Sequence, residues 1–264
     1  MPGPHPVFEQ LSVTAQDGVA LVADVWNPER APTLALLPAG GETREVWRPV
    51  VAALSEASRA RLRIVAIDHR GHGDSGRCER YTFQPFVEDV RTWVSALRGA
   101  PLIMGGGSIG GAVSMVAAGE GADIDGVLLL DVPTVPVRAI AQGEVSKLAR
   151  AQAAAHPRMQ RVDPAFLAPG FVEDVFRDAD RWRRAAIRLK VPTLLIAGER
   201  GVSGGQEPAL YREHVPHGQF VAVPAGHLVA RDAPIETARA IEAFLLEHYL
   251  CADSSAGRPT RCGS

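Results

Sequence analysis

The sequence predicts an α/β fold, with an eight-stranded, mostly parallel sheet, helices on both faces and a small helical cap. Three observations carry that expectation. From residue 33 onward, short apolar runs alternate with stretches of helical period, the pattern of strands joined by helical crossovers. Several of those runs are apolar at every position, as strands covered on both faces should be. Most of them end in a loop bearing glycine, aspartate or histidine. In open parallel sheets ligands bind outside the carboxyl ends of the strands, so these loops are where a site is expected.

The elements follow in order. Residues 7–14 and 19–26 alternate apolar and polar side chains around Asp17-Gly18, a hairpin signal. Thr33-Leu-Ala-Leu-Leu37 is the first fully apolar strand. Residues 44–58 are expected to be helical, and 62–67 a strand closed by Asp68. Over 83–98, Phe86, Val90, Trp93 and Leu97 fall on one helical stripe. A strand over 101–104, a helix over 109–119 and a strand over 124–130 closed by Asp131 come next. The last part reads as strand 191–197, helix 206–214, strand 219–223 and helix 234–249.

About sixty residues between Asp131 and Val191 lack a good strand, too long for an ordinary crossover. They divide the chain into a first core part (1–131), a cap insertion (132–190), a second core part (191–250) and a polar tail (251–264) expected to be disordered. Within the cap, Phe166, Phe171, Val172, Val175, Phe176 and Trp182 are spaced as inward-packing helical residues. Trp182 is the first choice among them to face a substrate.

Composition excludes several classes. The 264 residues carry 28 Lys+Arg against 30 Asp+Glu, a net charge of −2, which argues against a nucleic-acid or anionic-membrane footprint. No run reaches the length of a membrane span, and the start MPGPHPVFEQ has no secretory pattern, so a cytoplasmic location is expected. Cys78, Cys251 and Cys262 are too few and too scattered for a disulfide framework or a zinc cluster. No metal or cofactor is expected, the partner is a small-molecule substrate, and the oligomeric state is open.

Gly106-x-Ser108-x-Gly110 follows one expected strand and opens the next helix. That is the setting of a nucleophile elbow, where small neighbours let a sharp turn close and expose the serine. Gly105-x-Gly107-x-x-Gly110, with Asp131 about twenty residues on, also matches a dinucleotide-binding fingerprint. That alternative leaves Ser108 and His227 without a role. His227 stands out among eight histidines because it follows a glycine in the loop after the last strand. His69, His72 and Asp74 have an HxxHxD spacing that suits a metal on paper.

Together DHRGHGDS (68–75), GGSIGG (106–111), VPTLLIAGERG (191–201) and AGHLVARDAP (225–234) resemble the α/β-hydrolase family, over about residues 10–249. The resemblance implies Ser108 as nucleophile, His227 as general base, and an oxyanion hole from the backbone N–H groups of Gly40 and Ile109. It also implies that 68–75 is a structural turn near the site rather than a metal site. A serine hydroxyl attacks only when a base removes its proton, and the resulting oxyanion needs fixed donors.

Two departures stand out. Where the family reads G-E-R-D after the seventh strand, this chain has Gly198-Glu199-Arg200-Gly201, with glycine in place of the acid. An anion must still orient the imidazole. Asp131, at the end of the sixth strand, is the preferred substitute and Glu199 the alternative. Pro38-Ala39 also replaces the usual His-Gly, and proline has no N–H to offer. With Leu130-Asp131-Val132-Pro133-Thr134, this is similar in part to the zearalenone-cleaving lactonases; cofactor-independent dioxygenases also take their acid from strand six. Three functions follow from this. The first is a serine hydrolase of carboxylic esters or lactones acting through an acyl-enzyme. The second is a non-hydrolytic dioxygenase, lyase or cyclase using a His-Asp base, and the third a binding protein with a dismantled site.

Overall fold

A computed structural model describes residues 8–134, 161–167, 169–177, 179–203 and 207–250. Eight strands form one sheet: β1 (Glu9–Thr14), β2 (Ala20–Trp26), β3 (Thr33–Leu37), β4 (Arg63–Ile67), β5 (Leu102–Gly107), β6 (Gly126–Leu130), β7 (Thr193–Gly198) and β8 (Gln219–Val223). Their order is β1-β2-β4-β3-β5-β6-β7-β8. β2 is antiparallel to both β1 and β4, and every pair from β4 to β8 is parallel. The expected class is observed, and the described residues contain the expected eight strands.

The central parallel strands are buried along almost their whole length because each face has its own helical cover, whereas the edge strand β8 stays partly exposed. Leu34, Leu36, Ile64, Ile103, Leu128 and Ile196 share one core with Trp47, Val50, Ile241 and Phe244. These come from α1 (Trp47–Ala53) and the last helix, α9 (Pro234–His248). Ala35, Leu37, Val65, Met104 and Leu129 point the other way, toward Phe86, Val90 and Trp93 of α3 (Phe83–Ala96) and Val113 of α4 (Ile109–Gly119). The alternation follows from the period of two along a strand. Fully burying one such side chain is worth about 1.5–3 kcal/mol, so the central strands carry much of the fold's stability.

The structure departs from the sequence reading in instructive places. The helix expected over 44–58 is a 3-10 turn at Arg44–Val46, then α1, then α2 (Glu56–Arg61). It breaks because Leu54 turns extended and Ser55 caps α2, its hydroxyl accepting from the Ser58 N–H. β5 runs on through Gly107, since its glycines pair with β3 and β6 rather than starting the loop. A short α8 (Val229–Asp232) precedes α9.

Between β6 and β7 come a 3-10 turn (Pro164–Leu167), α5 (Pro169–Arg177) and α6 (Ala179–Arg188); α7 (Glu207–His214) lies between β7 and β8. Phe166, Phe171, Val175 and Trp182 are buried. The side chains of Val172 and Phe176, residues 135–160 of the expected cap and the tail 251–264 lie outside the described residues. No described helix is long and apolar enough to cross a membrane.

The loop after β4 is anchored by buried charge. Arg44 bonds Asp24 at 2.7 Å, Asp74 at 2.7 Å and also Asp68, while Arg70 bonds Asp89 and Asp17. Removing the Arg44 guanidinium would leave the buried Asp68 carboxylate without its cation, and removing that of Arg70 would do the same to Asp89, changes that typically cost about 3–5 kcal/mol.

Candidate active site

Ser108 sits between β5 and α4 with φ 47° and ψ −115°, a conformation that non-glycine residues rarely adopt. Its neighbours show why the turn needs glycine. A Cβ on Gly110 would lie 2.7 Å from the carbonyl oxygens of Leu37 and Pro38, and one on Gly106 would strike the Leu37 main chain. The end of β3 presses directly on the elbow. Of the rival dinucleotide motif, Gly110 is thus required by this packing, a Cβ on Gly105 would strike the Leu128 main chain, and Asp131 is fully buried and engaged elsewhere.

His227 comes from the loop after β8. Its Nε2 is 3.0 Å from Ser108 Oγ and its Nδ1 is 2.7 Å from Asp131 Oδ2. With Nδ1–H donating to the carboxylate, Nε2 is left to accept the serine proton. The imidazole is about a third exposed (32%), whereas the carboxylate beneath it is 0% exposed.

Asp131 is held by the main chain. One oxygen accepts from the N–H groups of Gly198 and Ser203, both at 3.1 Å, and the other from Val202 at 2.8 Å as well as from His227. These donors satisfy a buried charge that would otherwise be costly. A Cβ on Gly201 would lie 2.5 Å from Asp131 Cγ. The position where the family pattern places its acid is thus vacant because the Asp131 carboxylate fills that space. Glu199, the alternative acid, is exposed, and the imidazole bonds Asp131 instead.

The two residues expected to donate to the oxyanion are neighbours in space. A Cβ on Gly40 would be 3.5 Å from Ile109 Cγ2. Ile109 is the first residue of α4, where N–H groups have no intrahelical acceptor. Among the described residues neither the Gly40 nor the Ile109 N–H has a partner. Trp182 is not part of this constellation. It is buried and stacked on Phe83 of α3 at 5.7 Å, and α6, which carries it, packs on α4. Its apolar spacing reported core packing rather than a substrate contact.

Three features went unnoticed in the sequence. The first is the backbone cradle of Asp131, which no side-chain pattern announces. The second is Glu42, whose carboxyl burial pushes up to about 7, against the opposing pull of the Arg231 charge. The third is the use made of His69 and His72. Their spacing suited a metal, but among the described residues no group of three or more His, Cys, Asp or Glu is placed to hold one. Both rings instead bond the turn after β3: His69 Nε2 is 2.9 Å from the Pro38 carbonyl, and His72 Nε2 is 3.0 Å from the Gly41 N–H.

The comparisons with known proteins agree with this architecture. Residues 32–151 match the family model described as alpha/beta hydrolase fold. The chain is 32% identical over 108 residues to 3-oxoadipate enol-lactonase 1 of Acinetobacter baylyi, covering 41% of this chain and 39% of that protein. It is 36% identical over 102 residues to a monoacylglycerol lipase of Mycolicibacterium smegmatis, 36% of each chain. The aligned stretch thus spans about two fifths or less of these relatives' length. Among solved structures, a hydrolase from Pseudomonas aeruginosa superposes with a TM-score of 0.73 at 25% identity, over 90% of this chain and 98% of that one. The chain therefore has the α/β-hydrolase fold, and its residues 32–151 carry that family's sequence match.

Proposed function

We propose that the protein is a serine hydrolase that cleaves a carboxylic ester or lactone through an acyl-enzyme. The observation that supports this most is the continuous relay Ser108 Oγ–His227–Asp131, with both links at hydrogen-bond distance. His227 Nε2 takes the hydroxyl proton as Ser108 attacks the carbonyl carbon. The Gly40 and Ile109 N–H groups bear the oxyanion, and Asp131 stabilises the imidazolium without taking its proton. Collapse of the tetrahedral species breaks the C–O bond, and His227 returns the proton to the departing alkoxide. Water then attacks the acyl-serine by the same relay in reverse, releasing the acid. Lactonase and lipase names among partial relatives point the same way.

The test is hydrolysis of p-nitrophenyl acetate and of a simple aromatic lactone by the native chain, Ser108→Ala and His227→Ala. Both variants are expected to lose at least about 10³-fold in kcat. If Ser108→Ala kept most of the turnover while His227→Ala lost it, the chemistry would be that of a His-Asp base without an acyl-enzyme.

A further inference from the structure

The relay leaves two buried imidazoles unused. His69 and His72 lie in the loop after β4, 3% and 0% exposed, and each reaches the turn that carries Gly40. That turn is closed by the Glu42 N–H donating to the Ala39 carbonyl at 3.0 Å, with Gly41 at φ +88°. This φ is that of the third residue of a type II turn. With glycine at both central positions, however, the turn has little preference of its own, because glycine visits both signs of φ freely. Something outside the turn must select its state.

The hydrogen bonds show what does. His69 Nε2–H donates to the Pro38 carbonyl at 2.9 Å, pinning the peptide between residues 38 and 39. The Gly41 N–H donates to His72 Nε2 at 3.0 Å, pinning the peptide between 40 and 41. The peptide between them carries the Gly40 N–H. The tautomer of His72 is set from its other side: Nδ1 is 2.9 Å from the Arg70 carbonyl, which can only accept, so Nε2 is bare. Burial holds the two rings neutral, with pKa values lowered to about 3 for His69 and about 4 for His72. Phe166 locks the arrangement. Its ring packs edge-on to His72 at 4.4 Å, and a Cβ on Gly40 would lie 3.1 Å from its Cζ. The segment carrying Phe166 is itself tied to the loop after β4, through Asp163 N–H to the Gly71 carbonyl at 2.7 Å and Gly73 N–H to the Arg161 carbonyl at 2.9 Å.

We infer that His69 and His72 are positioning residues of the oxyanion turn, with His72 holding the central peptide of a Gly-Gly turn that would otherwise sample several states. The inference rests on the hydrolase reading of the same site. It predicts an effect on transition-state stabilisation rather than on substrate binding, because neither ring is placed to touch substrate.

The experiment compares His72→Phe, which keeps the bulk against Phe166 but cannot accept, with His72→Gln, whose amide oxygen can take the place of Nε2. Steady-state hydrolysis of p-nitrophenyl acetate and the rate of Ser108 labelling by a fluorophosphonate are measured for both and for the native chain. His72→Phe is expected to lose about 10- to 100-fold in kcat and in labelling rate, with KM within about twofold, since removal of a whole oxyanion donor costs about 10²–10³. His72→Gln is expected to recover to within a few-fold of native. A folded His72→Phe with native kcat, or a His72→Gln as impaired as His72→Phe, would overturn the inference while leaving the hydrolase reading intact. A native chain that neither labels nor hydrolyses would overturn that reading and this inference with it. If His72→Phe does not fold, nitrogen-15 spectra of the native chain decide. A bare His72 Nε2 with a protected Gly41 amide supports the inference, and a protonated Nε2 overturns it.

Discussion

The two ends of the site are held in opposite ways. At the acid end, Asp131 is gripped by the main chain: three N–H groups from β7 and the loop after it converge on one carboxylate, and Gly201 offers no side chain to compete for the space. At the end proposed to hold the oxyanion, a turn with two central glycines is gripped by side chains, the imidazoles of His69 and His72. A backbone cradle tolerates many local substitutions but depends on its geometry, and it accepts the anion only where a side chain leaves room. A side-chain brace is the reverse. It fails when one residue changes and leaves the backbone path intact.

The sharpest way to break this comparison is at the acid itself. Asp131→Asn should leave the cradle nearly isosteric but remove the charge that orients His227, lowering kcat by about 10⁴-fold. Glu199→Gln, at an exposed side chain, should change kcat by less than about threefold. Ester hydrolysis kinetics with matched thermal melts separate the two. If Glu199→Gln were the damaging change, the imidazole would be partnered differently in solution.

A smaller effect is expected from crowding the cradle. Gly201→Ala places a methyl against the Asp131 carboxylate, so the anion or the loop must shift. A loss of about 10- to 100-fold in kcat is expected together with about 1–3 kcal/mol of stability, the usual cost of overpacking. Native stability and rate in Gly201→Ala would mean that the space between these residues is not as tight as the structure has it.

The mildest change concerns Glu42, on the oxyanion turn. Its pKa, raised to about 7 by burial, exceeds the value of 4.5 for a free carboxyl. Between those values the folded chain binds more protons than the unfolded one, so stability is fully present below about pH 4.5 and is lost as pH rises through about 7. Glu42→Gln removes that loss. After discounting for partial exposure, it should gain about 1–2 kcal/mol at pH 8 and nothing near pH 4.5, read from denaturant midpoints. A variant equally stable or unstable relative to native at both pH values would contradict the shift.

The fold was legible because its signals are local and repetitive. The apolar run 33–37 reads as a strand covered on both faces, and its neighbours repeat it. Ser108 and His227, which the structure brings within 3.0 Å, drew attention for a similar reason, since each sits in a short glycine-bearing segment that resembles the family's. Asp131 was preferred over Glu199 because the family resemblance implies an acid at the end of strand six when position 201 is glycine, but the reason for that glycine lies in a contact across seventy residues. The break at Leu54-Ser55 left a trace in the sequence, a serine able to cap α2. Trp182 misled because its apolar spacing describes burial equally well on a core helix and on a substrate wall. His69 and His72 were expected in a structural turn near the site, but what they do there could not be read. Their spacing is one a metal site could use, and only the placement of β3 beside β4 turns it into a brace for the turn.

The central claim is that one hydroxyl, Ser108, is activated by His227 over Asp131. Its most direct test is to expose the native chain to a fluorophosphonate and map the adduct by peptide mass. A single adduct on the peptide containing Ser108 is predicted, absent in Ser108→Ala and formed at least about 10³-fold more slowly in His227→Ala. An adduct elsewhere, or labelling of His227→Ala at the native rate, would contradict it.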